Sequence, residues 1–199
     1  MGGTQLIGVP IIIAILVASG ASTIYMDSSE DFDQDVEKIV NDAVKDITTY
    51  VEILDVIGRY MGMGEKRELD RILILAKLPF DGSINASDLR ICVDDGKRLI
   101  ILGYSGFATF QKSGSLFDNA VWSEGFSLIV ILDRDSSICE WGVINHGDIF
   151  FIAVELPSSF HIGAGDNLVI YIVVPSGVTK TLDIYVPFSC SSDIILLGW

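Results

Sequence analysis

The sequence predicts an α+β protein: a long N-terminal hydrophobic and then amphipathic α-helix, followed by an antiparallel β-sandwich head of immunoglobulin-like layout. Three observations predict it. The first 26 residues carry no charge. Apolar residues then recur at i, i+3, i+4 and i+7 from Val36 to Met61. After Arg67 the chain breaks into short runs rich in Ile, Val, Leu, Phe and Tyr, separated by Gly, Asp, Asn and Pro turns. The expected organisation is therefore an assembly or membrane helix over residues 1–63 and one head domain over 64–199.

Met1 to Met26 is apolar around a whole helix, with Leu6, Ile7, Ile11, Ile15 and Ile24 on its surface. At about 1.5 Å per residue it reaches roughly 35 to 39 Å, enough to cross a bilayer. Ala14, Ala18, Gly20 and Ala21 are small enough to let other helices approach closely. Pro10 should kink the run. The segment lacks a basic n-region and a small-x-small cleavage pattern, so it is expected to be retained rather than removed as an ordinary secretory signal.

Acids follow directly: Asp27, Glu30, Asp31, Asp33, Asp35, Glu37, Asp42 and Asp46, offset by Lys38 and Lys45. Beneath them lies the amphipathic face Val36, Ile39, Val40, Val44, Ile47, Val51 and Leu54. Gly58, Gly62 and Gly64 are expected to end the helix near Tyr60 to Met63. Strands are expected near Arg71–Leu78, Asp88–Val93, Arg98–Leu102, Phe107–Gln111, Phe126–Leu132, Cys139–Ile144, Ile149–Leu156, Leu168–Val174, Leu182–Val186 and Ile194–Leu197.

Composition excludes several functions. With 27 acids against 13 bases, a net charge of −14, the chain lacks the surplus of Lys and Arg that nucleic-acid binding needs. Cys92, Cys139 and Cys190 are scattered, without zinc-ligand spacing; one disulfide and buried free thiols both fit, with no pair preferred. The sequence holds no P-loop, GxSxG, HExxH or GxGxxG pattern, so no catalytic residue, cofactor or metal site is expected. His146 and His161 near serines are read as turn histidines rather than triad members. Asp94-Asp95-Gly96 and Asp133-Arg134-Asp135 could offer oxygens to Ca²⁺, but neither has EF-hand spacing, and solvated turn acids are the favoured reading. Asn85-Ala86-Ser87 fits the N-glycosylation pattern in a predicted loop.

The stretch GGTQLIGVPIIIAILVASGAS, the passage RELDRILILAKLPFDGSINASDLRICVDDG and the closing run from Asn145 to Cys190 together resemble the archaellins, archaeal filament subunits related to type IV pilins. Gln5 stands where many bacterial type IV pilins carry glutamate. Pro10 and the three cysteines depart from that pattern, and no Lys or Arg stands ahead of the helix here: either the sequence begins at the processed residue, or the protein is a relative inserted without cleavage. The resemblance implies an extracellular surface filament for motility or adhesion, held in the membrane before assembly. Its implied partners are other copies of the chain, with glycans on Asn85. The alternative class is a membrane-anchored accessory protein of the same machinery, whose head binds the surface layer or a stator and whose abundance falls far below that of a filament subunit. A tethered binding or enzymatic β-domain is a third class, which a glycan or substrate screen would reveal.

Overall fold

The computed structural model describes residues 38–40, 49–62, 67–79, 81–111, 114–175, 177–188 and 192–199. The chain divides into two units, Met1–Val44 and Lys45–Trp199. In the first, residues 38–40 are helical, and Ile39 and Val40 are 67% and 53% exposed. Among the described residues no helix is long and apolar enough to cross a membrane. The expected span from Met1 to Met26 lies outside the described residues, as do Val36, Val44, Ile47 and Cys190.

Among its described residues the second unit contains twelve strands: β1 Glu52–Met61, β2 Glu68–Lys77, β3 Ser83–Asn85, β4 Arg90–Asp94, β5 Leu99–Leu102, β6 Tyr104–Thr109, β7 Phe126–Leu132, β8 Val143–Asn145, β9 Ile149–Glu155, β10 Asn167–Val173, β11 Lys180–Tyr185 and β12 Ile194–Leu196. They form a six-stranded sheet β12-β1-β2-β9-β7-β6, a four-stranded sheet β11-β10-β4-β5 and a small β3-β8 pair. Inward residues of the two large sheets, such as Ile72, Ile152 and Leu128 against Ile91, Ile170 and Leu182, share one buried cluster. Burial of this interlayer surface, at about 25 cal/mol per Å², is the main stabilising term of the head.

Four expectations are corrected. The first concerns Val51 and Leu54, assigned above to a helical face: Val51 is buried in the head's core and Leu54 lies within strand β1. The head therefore begins before residue 64. A register irregularity between Ile53 and Asp55 in the β1–β2 pairing explains the misreading. It lets Ile53 and Val56, three apart, both face the core, so the strand mimics helical spacing at that point. Beyond it, Val56, Gly58 and Tyr60 alternate inward as a strand requires.

The second correction is at residues 139–144. Ser137–Trp141 is a short helix, not a strand, and only Val143–Asn145 extends. The Asp133 carboxylate takes the otherwise free N–H groups of Ile138 and Cys139, both at 3.1 Å, and Gly142 at φ 68° ends the turn. Third, the head is not wholly antiparallel, because β6 pairs with β7 in parallel. The connection between them crosses the outward face of the six-stranded sheet, as a parallel pair demands. There Phe117 and Trp122 stack at 6.1 Å over Leu73, Ile129 and Phe151. Arg71 lies 4.3 Å from the Trp122 ring centre while it binds Glu155, and Arg59 lies 5.7 Å from that of Phe117 while paired with Asp70. This strap covers one face of the sandwich. The fourth correction, at the acids after β7, follows from the site below. Cys92 and Cys139 are free, half-buried thiols.

Candidate functional site

Strands β7 and β9 are antiparallel neighbours, and Leu132 pairs with Ile149. The residues just beyond that pair, Asp133 and Asp148, therefore meet at one end of the sheet. Asp135 joins them from the turn that enters the Ser137–Trp141 helix, and one carboxylate oxygen from each of the three lies within 4.8 Å of the others. Asp133 is fixed by its second oxygen, which caps the helix, and Asp148 by its Oδ2, which accepts the Asn145 N–H at 2.8 Å. Asp135 accepts Ser137 N–H at 3.1 Å and the Asn145 side-chain amide at 2.6 Å.

Two oxygens remain unanswered. Asp133 Oδ1 and Asp148 Oδ1 are buried and without a hydrogen-bond partner, and the whole of Asp148 is inaccessible to solvent. Burial pushes the Asp148 carboxyl above its ordinary range, opposed by the bond from Asn145 and reinforced by the charges of Asp133 and Asp135. Bonds from Ser137 and then Asn145 hold the Asp135 carboxyl below its ordinary range. Three converging carboxylates, two of them with an orphaned buried oxygen, form a hard-oxygen donor set of the kind that divalent cations such as Ca²⁺ take. Asp133 is thus a helix-capping acid with one buried oxygen rather than a wholly solvated turn acid, while Asp135 is exposed as a turn acid should be. The sequence concealed Asp148, because its nearness to Asp133 depends on β7 pairing with β9 across an intervening helix and strand.

The other acid pair behaves as expected of a turn. Asp94 accepts Gly96 N–H at 2.8 Å, and Asp95 accepts those of Lys97 and Arg98 at 2.8 and 2.6 Å. His161 sits 3.1 Å from Glu68. A cleft of about 710 Å³ is edged by Glu68, Asp70 and Glu155 over Leu69 and Phe160, but those three acids are engaged by His161, Arg59 and Arg71. Exposed Asn85 ends β3, and its Oδ1 accepts both the N–H and the hydroxyl of Ser87, at 3.0 and 2.8 Å. The expected packing residues Leu6, Ile7, Ile11, Ala14, Ile15, Ala18, Gly20, Ala21 and Ile24 lie outside the described residues.

A model of the archaeal-type flagellin family matches residues 9–184. The chain is similar in fold to the crystal structure of archaeal flagellin FlaB1 from Methanocaldococcus jannaschii, with TM-score 0.64, 19% identity, and coverage of 74% of this chain and 95% of that one. It is also similar to the archaeal flagellum of Methanospirillum hungatei strain JF1, with TM-score 0.63, 13% identity, and coverage of 97% and 99%.

Proposed function

From the premise that this chain belongs to the archaeal-type flagellin family, we propose that it is a structural subunit of the extracellular archaellum filament and acts in motility. The observation that carries this is the extent of the family match. It starts at residue 9, inside the uncharged segment, and runs to residue 184 in β11, so most of the uncharged segment and most of the head fall within one family match. The uncharged segment holds the subunit in the membrane before assembly, and copies then bury it against one another in the filament core. A repeated contact that does not close a ring builds a helical polymer. The test is genetic: cells deleted for this chain should lose the filament and regain it on complementation, whereas an unaltered filament would overturn the reading.

In the filament so proposed, the head is exposed to the medium. The Asp133, Asp135 and Asp148 cluster supports a structural role there: a bound divalent cation ties the end of β7 to the turn before β9. Addition of millimolar Ca²⁺ to chelator-treated, detergent-dispersed subunit should raise Tm by about 2–4 °C, equivalent to about 1 kcal/mol. In Asp148→Asn the increment should vanish, since one buried charged donor is gone. An equal Ca²⁺ shift in that variant would assign the effect to other acids.

Asn85 is the proposed glycan acceptor. It is exposed, and its Oδ1 already meets the Ser87 hydroxyl of the sequon. Asn85→Gln should lower the subunit mass by one glycan, read on the tryptic peptide that follows Lys77; an unchanged mass would count against modification.

A further inference from the structure

The two large sheets differ in what covers their outward faces. The six-stranded sheet has the Phe117–Trp122 strap. Over the four-stranded sheet no second buried cluster forms among the described residues. Cross-strand pairing arranges its outward residues in rows: Ile101, Cys92, Tyr171 and Thr181 in one, and Leu99, Asp94, Val169 and Asp183 in the next. Leu99 and Ile101 are 57% and 65% exposed, on an edge strand of four uncharged aliphatic residues. Such edges are ordinarily shielded or charged along their length, because they invite pairing.

Charge narrows the occupant. The outward residues of the four strands and the β4–β5 turn carry three bases (Arg90, Lys97, Arg98) and three acids (Asp94, Asp95, Asp183), a formal charge of 0 on a chain of −14; Lys180 pairs with the buried Ile172 and belongs to the inward side. A polyanion or polycation finds no strong opposite field here. Two copies of so acidic a chain repel over most of their surface within a screening length of about 8 Å. On this face they do not, and they can bury aliphatic surface.

We propose that the outward face of β5 and β4, centred on Leu99 and Ile101, is where one head packs against a neighbouring copy in the filament. The proposal rests on the filament reading above. Its test is the maleimide labelling rate of Ile101→Cys, followed on the tryptic peptide that starts at Leu99 and contains neither Cys92 nor Cys139. The rate should fall at least tenfold from detergent-dispersed subunit to intact filament. Equal rates in the two states would overturn the proposal and leave the filament reading standing. If the unaltered chain formed no filament, the filament reading would fail and take this proposal with it. Ile101→Lys gives an independent readout. The position is exposed, so the dispersed subunit should melt as the unaltered chain does, while filament yield should drop at least threefold. A normal yield would overturn the proposal.

Discussion

Ala18→Arg abolishes filament assembly and leaves the head folded. Ala18 stands in a 26-residue run without charge and is one of the small residues proposed above to let neighbouring copies approach in the filament core. Arginine adds bulk where close contact is needed, and brings a cation whose burial near the middle of an apolar span costs about 2.5–3.5 kcal/mol on insertion scales. The penalty recurs in every subunit, so a polymer feels it far more than a monomer does. Electron micrographs of cells making the variant should show no filament. The detergent-dispersed variant should melt as the unaltered chain does, because the twelve described strands all lie beyond residue 51. Normal filaments from this variant, or from Gly20→Arg, would contradict the assembly role.

Gly58→Val destabilises the head by about 2–3 kcal/mol, the upper part of the range for overpacked cores. Gly58 faces inward on β1, where a Cβ would stand 2.6 Å from Leu69 Cδ1 and 2.7 Å from Leu197 Cδ1. Val adds two further carbons to a point already overfilled by one. Neither neighbour can retreat freely, since both are buried, Leu69 at the start of β2 and Leu197 just after β12. Thermal melting of the dispersed subunit should show a fall of several degrees. An unchanged Tm would mean that β1 does not pack as described.

The same glycine shows where the sequence was legible and where it was not. Gly58 reads as a helix terminator if the preceding apolar spacing is helical. It becomes a close-packing position once Ile53 and Val56 are known to share a face through a register shift. That shift depends on β2, so no local pattern reveals it. By contrast, Phe126–Leu132 and the run from Ile149 were legible as strands, because continuous β-branched and aromatic residues between turn signals suit a strand buried on both faces. β3 is three residues long and is held by β8, which leaves little periodicity to find. The helix Ser137–Trp141 owes its first turn to Asp133, outside the usual capping position. The Asn85 sequon is visible as a local motif, whereas the carboxylate cluster of Asp133, Asp135 and Asp148 depends on a pairing between distant strands, and Asp148 was missed. For assembly the balance reverses, since the uncharged run and its small residues are visible in the sequence itself.

The most direct test of the central claim is a cryo-electron microscopy reconstruction of filaments sheared from cells that make this chain, with the subunit identified by mass spectrometry. The filament account predicts a helical polymer of this chain, with apolar N-terminal helices bundled on the axis and β-heads forming the outer layer. Filaments that lack the chain, while it remains in the membrane at a small fraction of their subunit number, would contradict it.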